Sequence, residues 1–522
     1  MGLPEPLNGL LRPQAYAHDV REVELVETHI SWILLAGEFA YKIKRPVCYP
    51  FLDLRSAPWR RFLCEEEARL NLRFAPELYL GTCAITLMAG KARMDGSGEP
   101  IEFAVRMRRF ERAAALDALL DKGSVTPDSL YVFGRELAMI HARLPRLDRW
   151  PDRWAAPRDI ILRNAQECLT AAGIFDDAKS VGVLLQSLQR RVEAADAWMA
   201  SRLASGKVRE CHGDLHAANI IRWRDRLVAF DCLEFDAALR HVDVADEIAF
   251  LLSDLEARGH PQHAQAFLGG YLAGSGDYEA CRHLRLYKAH RALVRAKVIA
   301  LRAAQMPAGS AASGILHRSY EARIDCAGKS LSRGFPLLVL MSGVSGSGKT
   351  WLARQLAPAL GAVHLRSDVE RKRLAHLPEF ASSASSLGQG LYSEGAAASV
   401  YRALEGAADA ILEGGYPTIV DATFGRRDER RYFRQLASRR AVPVCVIRCQ
   451  APLEILEDRI EQRTRSGKDA SEADSSVLHW QLQRFEPVVA DEALIVFDVP
   501  NSQRTVSRLV EQISLLASRG MT

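Results

Sequence analysis

The sequence predicts a two-domain chain: an N-terminal bilobal α+β domain, then a C-terminal α/β domain whose parallel sheet is flanked by helices. Three observations carry this. One is the run His212-Gly213-Asp214-Leu215-His216-Ala217-Ala218-Asn219, with Asp231 beyond it at the end of an apolar strand pattern. Another is Gly343-Val344-Ser345-Gly346-Ser347-Gly348-Lys349-Thr350, set between an apolar run and a helical pattern. The third is the small-residue stretch 307–314, which has the composition of a linker or loop. The resulting boundaries are 1–305 for the first domain, 306–335 for a linker and connecting helix, and 336–522 for the second.

At 522 residues the chain exceeds what one core supports. Its 48% hydrophobic and 25% charged residues lie near the globular average, which excludes disordered and fibrous classes. The 69 basic against 64 acidic residues leave a net charge of +5, too small an excess to argue for a nucleic-acid or membrane surface. The ten cysteines are scattered without metal-type spacing, and Cys445 and Cys449 fall on an apolar strand pattern, so buried reduced thiols are expected. No basic segment followed by an apolar run opens the sequence, and no apolar stretch reaches the roughly 18 residues of a membrane span. A cytoplasmic protein is the expectation.

Along the first domain, apolar runs at 30–35 and 39–43 flank Ala36-Gly37-Glu38 and predict a hairpin. Strand alternation then puts Lys42 and Lys44 on one face, Tyr41 and Ile43 on the other. A helix over 58–74 carries Leu63, Glu67, Leu70 and Phe74 at helical spacing, so Glu67 lies on its apolar face and needs a cationic partner. Lys42 with Glu67 is the predicted pair, with Lys44 and Glu66 as alternatives. Kinases aim a strand lysine at nucleotide phosphates with such a helix glutamate. A strand at 103–107 and a helix at 132–143 follow. The spacing His-x-Asp-x-x-x-x-Asn brings an aspartate to an acceptor hydroxyl while the asparagine turns back to a metal ion, and a strand at 227–230 delivers Asp231.

These residues, with the helix Gly134 to His141, resemble the aminoglycoside phosphotransferase family, which has a protein-kinase-like fold. The resemblance covers about residues 25–300. It implies that Asp214 is the catalytic base, that Asn219 and Asp231 hold Mg²⁺, and that Lys42 contacts the nucleotide phosphates. No Gly-x-Gly-x-x-Gly loop precedes Lys42, and Asp231-Cys232-Leu233 stands where protein kinases have Asp-Phe-Gly. His216 is read as either a substrate contact or a loop-ordering group. Asp243, in the acidic run Asp236, Asp243, Asp246 and Glu247, is read as a loop tether or helix cap. The helix over 283–302 interleaves basic and apolar residues and is read as amphipathic with a solvated basic face.

A connecting helix at 315–331 leads to Gly334-Phe335-Pro336. The apolar run 337–341 then reads as a buried parallel strand and is followed by the glycine loop and a helix at 351–360, the setting of a P-loop. In that setting Gly343, Ser345, Gly346, Ser347 and Gly348 wrap a phosphate with backbone N–H groups, Lys349 reaches the β/γ-phosphates and Thr350 ligates Mg²⁺. Asp368 ends the next strand and Arg371 lies one helical turn on, so the two can face an acceptor together, as base and anion clamp. The plainer alternative is an N-cap aspartate with a solvent arginine. A strand at 417–420 ends at Asp421, a second metal carboxylate. A strand begins at 442–445, and a helix at 453–465 offers Arg463, with Arg459 as alternative, to the transferring phosphoryl group, next to a lid at 466–471.

Residues 336 to about 500 resemble the P-loop kinase group of zeta-toxin-like, polynucleotide 5′-kinase and gluconate-kinase-like proteins. Together the two resemblances imply a bifunctional, cytoplasmic phosphotransferase (kinase) using ATP and Mg²⁺ on small-molecule hydroxyl acceptors. A regulatory nucleotide-binding protein with one inactive kinase-like domain, and a 5′-hydroxyl nucleic-acid kinase, are the alternatives.

Overall fold

The structure is a computed structural model and describes residues 2–49, 52–307, 310–379, 381, 394–466, 470–492, 494–499 and 503–519. The chain packs as two compact units. Met1–Ser129, Ile140–Pro157 and Trp198–Leu251 form one; Leu130–Met139, Arg158–Ala197 and Leu252–Thr522 form the other.

The first unit is built on a six-stranded antiparallel sheet of β1 (Val23–Glu27), β2 (Ser31–Ala36), β3 (Phe39–Lys44), β4 (Tyr79–Met88), β5 (Lys91–Met94) and β6 (Pro100–Arg108), in the order β1-β2-β3-β6-β4-β5. The hairpin falls where the sequence predicts it, with Leu34 opposite Tyr41 and Ile33 opposite Lys42. Period-two alternation sends Tyr41 and Ile43 into a core with Leu10, Trp32, Leu34 and Ile85. Lys42 and Lys44 point to the opposite face, which the helix Ala57–Asn71 covers. That helix takes its proline in the first turn, where a missing N–H costs nothing, and stops three residues before the predicted end. Leu63, Cys64, Glu67, Ala68 and Leu70 form its buried side. Each large apolar side chain so buried contributes about 1.5–3 kcal/mol. Beyond the sheet, β7 (Val208–Glu210) pairs with β10 (His241–Asp243), and β8 (Ile220–Trp223) forms a hairpin with β9 (Arg226–Ala229). The loop from 211 to 219 is thereby held between two short antiparallel ladders.

The second unit holds a five-stranded, wholly parallel sheet of β11 (Leu338–Ser342), β12 (Val363–Arg366), β13 (Thr418–Asp421), β14 (Val444–Cys449) and β15 (Ile495–Val499), in the order β12-β13-β11-β14-β15. Every residue of β11 is buried, as a central strand covered on both faces requires. The helix after the glycine loop, Lys349–Leu360, starts two residues before the predicted point, with Gly348 as its N-cap. The helices Pro261–Ser275, Cys281–Ala303 and Ala311–Leu331 pack in this unit too. All ten cysteines are free thiols, and all but Cys48 are buried. Among the described residues no helix is long and apolar enough to cross a membrane.

One expectation is overturned. The helix Cys281–Ala303 does not present a solvated basic face along its length: Arg302 at its end is exposed, but Lys288 and Arg291 are buried, Lys288 donates to Glu256 at 2.6 Å, and Lys297 donates to Asn164 at 2.8 Å and Glu167 at 2.6 Å. Arg285 caps backbone carbonyls of Lys329, Ser330 and Ser332. Helical periodicity shows which residues share a face, but not whether another helix covers it.

Among the described residues the bulkiest fully buried side chain is Arg430, which bonds both carboxylate oxygens of Glu492 at 2.7 Å and donates to the carbonyls of Phe424 and Glu486. Removing one partner strands the other in a low dielectric. Glu492→Ala is therefore expected to destabilise the protein by about 3–5 kcal/mol in urea unfolding, and Arg430→Leu with Glu492→Leu together by less than Glu492→Ala alone.

Candidate functional site

In the first unit, one buried carboxylate collects two ammonium groups. Lys42 Nζ donates to Glu67 Oε1 at 2.9 Å, and Lys44 Nζ donates to Glu67 Oε2 and to Glu234. Lys42 Nζ also donates to Asp231 Oδ1 at 2.5 Å, which joins the sheet to the strand-end loop after β9. Burial pushes the Glu67 carboxyl up, but the two lysine charges outweigh it and hold the group at about 2. Glu66, the other sequence candidate, points elsewhere, to Arg69 and Arg240 at 2.6 Å each. Asp231 itself has φ of +65°, a left-handed conformation seldom taken by residues other than glycine, and such positions concentrate at functional sites.

Asp214 and Asn219 meet in the same unit: Asn219 Nδ2 donates to Asp214 Oδ2 at 2.9 Å and to the Asp214 carbonyl at 3.1 Å. His216 takes the loop-ordering role, accepting the Ala218 N–H at Nδ1, and its Nε2 lies 3.3 Å from Asp214 Oδ2. His212 Nε2 bonds the Phe230 carbonyl at 2.8 Å and ties the loop to the residue before Asp231. Asp243 accepts the Ala245 N–H at 2.8 Å as a helix cap and pairs with Arg202. The residue that sequence reasoning missed is Glu247, whose buried carboxylate accepts the backbone N–H groups of His212 and Gly213 at 2.9 and 3.2 Å. Only its place in the acidic run hinted at it.

In the second unit the glycine loop is close to neighbouring backbone. A Cβ at Gly343 would collide with the Cys449 carbonyl and one at Gly346 with that of Leu456, and both positions have positive φ. Ser347 is buried at the base of the loop. Lys349 Nζ donates back to the Val344 carbonyl at 2.9 Å, and burial lowers its pKa. Thr350 Oγ1 donates to Asp421 Oδ2 at 2.7 Å, and His364 Nε2 lies 3.2 Å from the same oxygen. Burial raises the Asp421 carboxyl, but the His364 hydrogen bond and the nearby cations prevail and hold it at about 2.

A cavity of about 1060 Å³ brings Lys349, Thr350 and Asp421 together with Asp368, Arg371, Arg459 and Arg463. Arg371 bonds Asp368 directly, and its charge, against the effect of burial, keeps that carboxyl low. Arg459 Nη1 donates to the Gly346 carbonyl at 3.2 Å, and Arg463 Nη2 to that of Ala473 at 2.5 Å. Of the lid read at 466–471, residues 467–469 lie outside the described residues. Sequence reasoning missed Gln481, whose Oε1 accepts the Ser345 N–H at 2.8 Å, and Tyr401, Tyr432 and Trp480, which line the cavity from distant helices. They carry no motif.

Two buried histidines make the first unit acid-sensitive. Burial, aided by the Arg209 charge, pulls His141 down to about 3, and burial pulls His212 down to about 4. Below about pH 6.5 the unfolded chain binds protons that the folded chain refuses, so stability falls on acidification, by at most about 1.4 kcal/mol per pH unit for each group. Urea unfolding measured from about pH 7 to pH 4 should show this slope, and His141→Gln should flatten it.

Residues 338–488 match a family model described as an AAA domain. A gluconokinase from Sinorhizobium meliloti 1021 aligns with 36% of this chain and 94% of its own at 20% identity and a TM-score of 0.25. An ethanolamine kinase from Plasmodium vivax aligns with 58% of this chain and 81% of its own at 10% identity and a TM-score of 0.34. The uncharacterized protein Rv2004c of Mycobacterium tuberculosis is 31% identical over 462 residues, which is 87% of this chain and 90% of that protein. At that identity over nearly the whole of both chains, this protein belongs to the same family as Rv2004c.

Proposed function

We propose that the chain is a bifunctional, ATP- and Mg²⁺-dependent phosphotransferase, with a kinase-like module in residues 1–305 and a P-loop kinase module in 336–522, joined by 306–335. The observation that carries the reading is the convergence of Lys349, Thr350, Asp421, Asp368 and Arg371 on one cavity. At about 1060 Å³ it has room for a nucleotide and a small acceptor. Beyond the phosphate loop and the metal carboxylate, Asp368 and Arg371 supply that cavity with a base and an anion clamp suited to an acceptor hydroxyl.

In the P-loop centre the loop amides and Lys349 bind the nucleotide phosphates, Arg371 and Arg463 steady negative charge, and Asp368 takes the proton of the acceptor hydroxyl as its oxygen attacks the γ-phosphorus and ADP departs. In the kinase-like centre Lys42, held by Glu67, meets the phosphates and Asp214 takes the acceptor proton. The residues also suit Mg²⁺. Thr350 with Asp421, and Asn219 with Asp231, offer the oxygen ligands that such an ion takes from protein while completing its shell with water and phosphate oxygens. Bound there, Mg²⁺ would neutralise phosphate charge.

The second reading is a nucleotide-binding regulator whose kinase-like module is inactive. In its favour, Lys42 bonds Asp231 and Asn219 bonds Asp214, so these groups satisfy one another.

MgATP turnover is measured on the wild type, Asp214→Ala and Lys349→Ala against pooled sugars, nucleosides, aminoglycosides and 5′-hydroxyl oligonucleotides. Each substitution is expected to lower one acceptor-stimulated activity by about 10²–10³-fold and spare the other. One substitution silencing both activities would sink the two-centre reading, and stimulation by no acceptor despite tight ATP binding favours the regulator.

A further inference from the structure

The helix Ser367–Leu374 has two occupied faces. Asp368 and Arg371 line the cavity, while Glu370 lies about 200° around the axis from Asp368 at about 100° per residue, with Arg373 on the same far side. That far side is packed. Glu370 is 5% exposed and accepts a 2.8 Å hydrogen bond from the hydroxyl of Tyr278, which is 6% exposed. Arg373 closes the group: Nη1 lies 3.4 Å from Glu370 Oε1, the guanidinium sits 5.8 Å from the Tyr278 ring centroid, and Nη2 donates to the Ala273 carbonyl. Burial and the Glu370 charge raise the Tyr278 phenol far above its usual range, so it stays a donor. Tyr278 and Ala273 fold within the same compact unit as the P-loop, although they precede it in the chain.

Lys372 anchors another side of this eight-residue helix by donating to Glu472 at 2.7 Å, and a helix so short, released on its far side, can roll about that anchor. A roll of roughly 20° displaces a carboxylate ~6 Å from the axis by about 2 Å, and a misplacement of ~1 Å can cost ~10²-fold in rate. We infer that Tyr278 and Glu370 are a positioning pair: their buried hydrogen bond fixes the rotation of Ser367–Leu374 and so aims Asp368 and Arg371 into the cavity. The inference rests on the reading of the P-loop centre as a phosphotransferase with Asp368 as base.

The test uses the full chain carrying Asp214→Ala, so that only the P-loop centre turns over, with MgATP and water as acceptor. Tyr278→Phe and Glu370→Leu, which remove the donor and the acceptor respectively, should each lower kcat about tenfold and leave KM for ATP within twofold. The double variant should be no worse than either single one, since both break one bond. Amide hydrogen exchange across 367–374 should quicken at least tenfold. Unchanged exchange in both single variants overturns the inference, as does a double variant whose loss is the product of the two single losses. Asp368→Asn, assayed beside them, tests the underlying reading separately: undiminished turnover there, with quickened exchange in Tyr278→Phe, removes Asp368 as base and leaves the helix clamp standing.

Discussion

The first unit depends on one buried charge. Glu67 is fully enclosed, and a carboxylate in that position costs several kcal/mol unless its partners come with it. Both oxygens are taken, one by Lys42 and the other by Lys44. Strand β3 must therefore sit in one register against the helix Ala57–Asn71, because a slip of one residue would turn both lysines to the opposite core and bring Tyr41 and Ile43 to the carboxylate. The same constraint reaches further. Lys42 also holds Asp231, and Lys44 also holds Glu234, so the loop after β9 is fixed by the sheet.

The second unit handles anions with backbone. Close approach of the glycine loop to the carbonyls of Cys449 and Leu456 leaves no room for side chains, and its amides and the start of Lys349–Leu360 supply the positive end of a helix. Charged side chains are added around that frame. Asp421 gathers Thr350 and His364, Asp368 gathers Arg371, and the arginines of the helix Leu453–Ser466 approach from the other side. A site made this way is polar at its floor and aromatic at its walls, where Tyr401, Tyr432 and Trp480 stand.

Much of this was legible in the sequence. The hairpin of β2 and β3, the strand β11, the glycine loop and the helix after it fall within two residues of their predicted ends, because alternation and helical spacing are set by neighbours in the chain. The helix Ala57–Asn71 ended early, since apolar residues in the following turn mimic helical spacing. The choice between Lys42 and Lys44 had no single answer, as Glu67 has two oxygens and takes both. Glu247 and Gln481 were illegible: each acts on a backbone N–H of a distant loop, and accepting such a bond demands no residue pattern around the acceptor.

The sequence by itself determined the strand and helix periods, the phosphate loop, and the short spacings that put Asp214 beside Asn219 and Asp368 beside Arg371. These are local relations, closed within a turn or two of chain. Only the tertiary structure decided that Lys42 meets Asp231 across 189 residues and that Tyr278 meets Glu370 across 92. It also decided that the basic helix Cys281–Ala303 is largely covered instead of solvated. The physical reason is common to all three: a buried polar group is satisfied by whichever partner the packing brings within about 3 Å, and that partner is chosen by the fold as a whole, not by the residues on either side.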